Sequence, residues 1–96
     1  GDPRETPALK VMELMQREGA ELSYADPFTR TVFVAGRSYE AVKVTATRLE
    51  QTDCALILTA HSAFDYELIT RHAPLVFDTR NGTGEVRGPK DNVALL

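Results

Sequence analysis

One cysteine, Cys54, is the whole thiol content of this 96-residue chain. A lone thiol cannot close an internal disulfide, so the cross-linked framework of small secreted domains is excluded and a cytoplasmic setting fits. Long apolar runs are missing as well. The longest, Cys54 to Leu58, is strand-sized, against the ~20 residues that span a bilayer. The first residues hold no basic stretch ahead of an apolar core, so no secretory signal and no membrane partner are expected. Basic excess is also lacking. The formal net charge is −3, and the 11 Lys and Arg residues are scattered. Nucleic acid is therefore not expected as a partner, because neutralising phosphates needs a basic surface. No Gly-x-Gly-x-x-Gly precedes the first helix, so the pyrophosphate cradle of a dinucleotide-binding unit is missing. There is no internal repeat and no low-complexity tract.

What remains is ordinary for a globular domain: 43% apolar and 26% charged residues. The length allows one small domain, residues 1–96, with a modest core and thin stability.

The first helix is the plainest element. Thr6 can cap it, and Pro7 sits where a first turn tolerates proline. Ala8, Val11, Met12 and Met15 then recur at helical spacing, with Leu9 and Leu14 widening the apolar face. A helix over 7–18 follows, with Gly19 as a left-handed stop. Ala20 to Tyr24 alternates apolar and polar residues before Asp26-Pro27, which predicts a short strand and a turn. Thr31–Ala35 and Ala41–Thr45 have strand composition, with a turn over Gly36–Ser38. A short helix is expected over Ala46–Gln51.

Cys54 to Leu58 reads as a central strand covered on both faces, as parallel sheets require. Ser62 can cap the next helix, with Asp65 completing a capping-box-like pair. That helix should end near His72, because Pro74 disfavours helix at Ala73. Leu75-Val76-Phe77 is a further buried strand, Asp78 to Gly82 a loop, and Val93 to Leu96 a last strand.

Alternating helices and strands imply a parallel α/β sheet whose strands all end at one edge, where ligands bind. Three loops are expected there: Tyr24–Pro27, Thr59–Ser62 and Asp78–Asn81. The Asp2–Thr6 segment should lie at the same edge.

Arg80 is the first candidate for a binding role. It follows a buried strand, and its forked donors suit phosphate or sugar hydroxyls. The alternative is a surface arginine, solvated or paired with Asp78. Arg4 precedes the first helix, whose free N–H groups already attract anions. Its alternative is a frayed terminal residue paired with Glu5 or Asp2. Asp26 is read as a turn residue, and Cys54 as a buried structural thiol. His61 and His72 have no metal-ligand spacing with Cys54 or any acid, so no metal is expected. His72 should finish its helix, where a cation is favourable, and His61 sits at the functional edge. Asp65 is a cap rather than a general base. No catalytic triad can be assembled.

These segments also resemble a known family. Arg4-Glu5-Thr6-Pro7-Ala8-Leu9 is similar to the Arg-Glu-Ser-Pro-Ala-Leu run opening the first helix in the C-terminal domain of UDP-glucose/GDP-mannose dehydrogenases. Gly19 through Tyr24 with Asp26-Pro27, Asp53 through Thr59 with His61 to Tyr66, and Ala73 through Asn81 resemble that domain's later strands, helix and loop, in the same order. Only 29–52 is nondescript. The resemblance implies an oxidoreductase that converts a sugar C6 alcohol to a carboxylate using NAD, held mainly by a separate N-terminal domain. It maps the substrate-binding arginine onto Arg80 and an arginine on the cofactor side of the interdomain cleft onto Arg4. The stretch from Thr59 to Tyr66 looks more like enzymes acting on UDP-N-acetylhexosamines than UDP-glucose enzymes, although Ala60 replaces an aspartate common there.

The family's domain begins with a strand ahead of the Asp-x-Arg-Glu run, expected between Ala20–Tyr24 and Cys54–Leu58. This chain starts at Gly1-Asp2. The expected fold is therefore α/β, a three-layer Rossmann-like parallel sheet with the usual first strand missing. The family's catalytic cysteine and its lysine are also absent, and Cys54 lies in a different motif. The expectation is a UDP-sugar-binding domain, a fragment of a larger dehydrogenase, inactive alone. Its expected partners are a UDP-sugar, the remaining domains of the parent enzyme and further copies in a homo-oligomer. The competing reading is a free-standing interaction module that pairs through the open sheet slot.

Overall fold

The computed structural model describes residues 7–95, which fall into two compact units, Gly1–Lys43 and Val44–Leu96. The first holds α1 (Pro7–Arg17) and the strands β1 (Thr31–Val34) and β2 (Arg37–Glu40). Helix α1 half-buries Ala8, Leu9, Val11 and Met12, while Leu14 and Met15 stay exposed. It ends as the glycine predicts. Gly19 has φ +91°, its N–H reaches the Gln16 carbonyl at 3.0 Å, and the Ala20 N–H reaches the Met15 carbonyl at 3.0 Å. That pair of bonds is a Schellman closure. Tyr39 Oη accepts from Gln16 Nε2 at 2.8 Å and ties α1 to β2.

The strands of this unit differ from the expectation in two ways. Ala20–Tyr24 forms no strand. Its alternation is intact, but no ladder runs beside it among the described residues, and the Tyr24 carbonyl takes a single bond, from the Val42 N–H at 2.8 Å. The hairpin turns earlier than expected. Ala35 and Gly36 have φ 47° and 83°, the left-handed pair that closes a two-residue hairpin. Val34 therefore faces Arg37 and Thr31 faces Glu40 in an antiparallel ladder. Gly36 to Ser38 is thus partly strand, and Ala41–Thr45 is not one.

The second unit holds α2 (Ala46–Gln51), β3 (Ala55–Ile57), α3 (Tyr66–His72), β4 (Val76–Asp78) and β5 (Val93–Leu95). Its three strands form a parallel sheet in the order β3-β4-β5, with Ile57 beside Asp78 and Asp78 beside Leu95. Three parallel strands flanked by helices make a small α/β Rossmann-like arrangement, with the parallel sheet that the alternation implies. The core is Leu49, Ile57, Ile69, Ala73 and Val76, flanked by Val44, Ala55, Phe64, Tyr66, Leu68 and Val93. Burying an aliphatic side chain such as Ile57 stabilises by roughly 1.5–3 kcal/mol. Leu56 points to the other face and is 38% exposed, so β3 is not covered on both faces as its apolar run suggested.

Helix α2 is capped by Thr45, whose side chain accepts from the Arg48 N–H at 3.2 Å. Helix α3 starts later than the capping-box reading had it. Asp65 itself is the N-cap, accepting from the Leu68 N–H at 3.0 Å, and Ser62 lies in a preceding turn. A carboxylate is a strong cap acceptor, so the acid rather than the serine caps the helix. The helix stops at His72 as expected. His72 Nδ1 lies 2.8 Å from Glu50 Oε2, which pairs α3 with α2.

Candidate functional site

In a parallel sheet the carboxyl edge collects every strand's exit loop. In the Val44–Leu96 unit these are the residues after Ile57 and after Asp78. Strand β4 alternates so that Val76 and Asp78 share the buried face. The last side chain on that face is thus a carboxylate with 0% exposure. A buried carboxylate must be matched by donors, and here the loop supplies them. Asp78 Oδ1 accepts from the N–H groups of Arg80 and Gly82, each at 3.0 Å. Oδ2 accepts from the Thr83 N–H at 2.8 Å and the Thr83 hydroxyl at 2.7 Å. Burial pushes the Asp78 carboxyl up, but the bonds from the Thr83 hydroxyl and from the N–H groups of Thr83, Arg80 and Gly82 outweigh it, and the net direction is down.

The same loop is fixed to the end of β3. The Thr79 hydroxyl and N–H both donate to the Ile57 carbonyl, at 2.6 and 3.1 Å. Arg80 Nε donates to the Leu58 carbonyl at 3.2 Å. The guanidinium is therefore held across the carboxyl ends of β3 and β4. Its side chain makes no ion pair with Asp78 among the described residues. Asp78 engages the backbone N–H of Arg80 instead.

Two small residues let the loop lie close. A Cβ on Gly82 would sit 3.0 Å from Tyr66 Cε1, and one on Gly84 would sit 2.8 Å from Asn81 Nδ2. Asn81 takes φ 55°, a conformation that Asn tolerates better than most residues. Tyr66 also serves the neighbouring loop, because its Oη accepts from the His61 N–H at 2.9 Å. Phe64 stands edge-on to both His61 and Tyr66, with ring centroids 5.8 and 6.2 Å away. The 59–62 and 78–84 loops thus share Tyr66 as a support.

Arg4 and the Asp2–Thr6 segment lie outside the described residues. The Tyr24–Pro27 loop belongs to the Gly1–Lys43 unit. There Asp26 Oδ1 accepts from the N–H groups of Phe28 and Thr29, at 2.7 and 3.1 Å, so it makes the turn expected of it. Burial, with the charges of Asp26 and Glu40, pushes the Tyr24 hydroxyl up, and it donates to the Thr29 carbonyl at 2.9 Å. Burial likewise pushes the Cys54 thiol up, with a backbone bond from Phe77 opposing. That is the reverse of what activates a nucleophile. Among the described residues no group of three or more His, Cys, Asp or Glu side chains could hold a metal. None of their helices is long and apolar enough to cross a membrane. Sequence reasoning missed Asp78 and Thr83. The available signal was an acid closing an apolar strand and followed by Gly82, Thr83 and Gly84.

The model of the UDP-glucose/GDP-mannose dehydrogenase family, UDP binding domain, matches residues 1–85. The match runs from the segment holding Arg4 to just past the loop of Arg80. No curated protein and no solved structure matches the chain.

Proposed function

The chain belongs to the UDP-glucose/GDP-mannose dehydrogenase family, as its UDP-binding domain, and from that premise we propose that it binds a UDP-sugar through Arg80, with Arg4 on the side of the NAD cofactor. One observation carries the proposal for Arg80. Its Nε is engaged by the Leu58 carbonyl at the sheet's carboxyl edge, and no bond among the described residues uses its two terminal nitrogens. A fork oriented in this way suits a diphosphate oxygen. For Arg4 the support is its place in the matched Arg-Glu-Thr-Pro-Ala-Leu run. The matched range crosses both compact units, which supports treating residues 1–96 as one nucleotide-sugar-binding domain. The family is one of NAD-dependent oxidoreductases, so the reaction served would be oxidation of a sugar C6 alcohol to a uronate. The cofactor would be bound mainly by another domain, in a homo-oligomeric, cytoplasmic enzyme. The likeness of Thr59–Tyr66 to enzymes of UDP-N-acetylhexosamines favours that sugar class.

The test is a UDP titration followed by amide shifts, on wild type and on Arg80→Ala. Loss of a charge-assisted contact is worth about 1.5–3 kcal/mol, or roughly 10- to 100-fold in affinity. Equal binding by both proteins would remove Arg80 from the site. Competition between UDP-N-acetylglucosamine and UDP-glucose would settle the sugar class, and preference for glucose would overturn it. With NAD and a UDP-sugar the chain alone should yield no NADH, and any turnover traced to it would refute that part of the reading.

A second reading has one observation in its favour. Strand β3 pairs only with β4, so its other edge carries no strand among the described residues. Such an edge is a template for β-augmentation, as a free-standing interaction module would use. Sedimentation decides: a strict monomer across concentration counts against self-pairing.

A further inference from the structure

The loop that bears Arg80 is more tightly fixed than a surface loop needs to be. Four donors converge on one carboxylate, and three of them are backbone N–H groups drawn from residues 80, 82 and 83. Asp78 and Thr83 are 0% and 1% exposed, so the bonds lie beneath the loop and out of water. Lys90 Nζ donates to the Thr83 carbonyl at 3.2 Å and holds the clasp from its far end. Arg80 leaves this arrangement toward solvent with a side chain able to take an anion, and among the described residues its guanidinium is anchored only at Nε.

We propose that Asp78 and Thr83 form a positioning clasp, which sets the backbone at Arg80 so that its guanidinium is presented at the carboxyl edge of β3 and β4. The clasp acts through Arg80 and touches no ligand, and it rests on the reading of Arg80 as the diphosphate-binding residue. Its physical basis is pre-organisation. A fork already aimed loses less conformational freedom when it binds. Asp78 achieves this without competing for the guanidinium, because its lone pairs are filled by the loop's own donors.

The experiment is a double-mutant cycle on UDP binding by the intact chain, with Thr83→Val and Arg80→Ala singly and together, and Thr83→Ser as the conservative control. Thr83→Val removes one hydroxyl bond to a charged acceptor, which should weaken UDP by roughly three- to tenfold. Thr83→Ser should restore the wild-type affinity. On the Arg80→Ala background Thr83→Val should have no further effect, since the residue it positions is gone. A structural role alone would lower affinity by the same factor on both backgrounds, and that result overturns the proposal. So does unchanged UDP affinity in a Thr83→Val protein that has merely lost stability. If Arg80→Ala itself binds UDP normally, the reading beneath the proposal fails, and that outcome is distinct from the other two. Should valine prevent folding, Thr83→Ala takes its place. The Arg80 Nε–H resonance then gives a readout independent of UDP. It should shift toward the solvent-exposed position in Thr83→Ala and not in Thr83→Ser, and an unchanged resonance overturns the clasp.

Discussion

Replacing Asp78 by Asn isolates what the buried carboxylate contributes. The side chain keeps its shape, one oxygen becomes an amide, and the charge is lost. If the remaining oxygen continues to serve Arg80 and Gly82, the new NH2 group faces the Thr83 N–H, which stood 2.8 Å from the oxygen it replaces. The Thr83 hydroxyl can rotate to accept, but the N–H cannot, and a buried donor left without an acceptor costs about 1–3 kcal/mol. The surviving bonds also lose their charge assistance, and neutral bonds are roughly half as strong. Relief from burying a charge offsets part of this. The expected net loss is about 2–3 kcal/mol, a large share of the roughly 5–15 kcal/mol that holds a domain together. Urea unfolding followed by circular dichroism reads it directly. With m near 1 kcal/mol/M for a chain of this size, the midpoint should fall by ~2–3 M. A fall below about 0.5 kcal/mol is what a surface substitution gives, and it would refute the account of Asp78. The acid limb supplies a second reading. The folded carboxyl lies below its ordinary value, so the stability it contributes is fully present above the unfolded pKa of about 3.9. That contribution is lost as pH falls through the folded value. Asp78→Asn should therefore lose less stability than wild type on acidification below about pH 4.

Asp65→Ala removes the cap of α3 and its 3.0 Å bond to the Leu68 N–H. A loss of about 1 kcal/mol is expected by thermal unfolding, and no loss would return the cap to Ser62. Gly36→Ala places a Cβ in open space but at φ +83°. It should cost about 1 kcal/mol through backbone strain alone, seen as loss of amide protection between Thr31 and Glu40.

Elements whose cause is local were legible in the sequence, and elements that need a distant partner were not. Helix α1 carries its own spacing and its own stop at Gly19, so it lies where periodicity puts it, and α2 fills the expected Ala46–Gln51, with Thr45 as its cap rather than the end of a strand. Ala20–Tyr24 has a strand's alternation, yet alternation states which side chains would share a face and not whether a ladder runs alongside. The hairpin turns earlier than composition predicts because Ala35, a residue that seldom accepts positive φ, takes half of the turn. The apolar run at β3 implied burial on two faces, whereas Leu56 is exposed. At the site, the position of Arg80 followed from its place after an apolar strand. The clasp did not, because three of its four donors are backbone groups, and every residue but proline has one.

That difference bears on how the edge of this sheet is charged. A lone buried carboxylate beside a guanidinium would ordinarily capture it, and an arginine spent on such a pair has little left for a ligand. Here the negative charge of Asp78 is met by the N–H groups of Arg80, Gly82 and Thr83 and by one hydroxyl. The guanidinium is drawn the other way, to the uncharged Leu58 carbonyl. A carbonyl orients a cation without neutralising it, so the positive charge stays available at the rim. The sequence Asp78-Thr79-Arg80 thus places acid and base two residues apart, and strand alternation alone would put both on one face. It is the turn into Asn81, at φ 55°, and the close approach allowed by Gly82 and Gly84 that bring the backbone donors round to the acid. Swapping Asn81 for a β-branched residue, which resists that conformation, should therefore loosen Asp78 first and Arg80 in consequence.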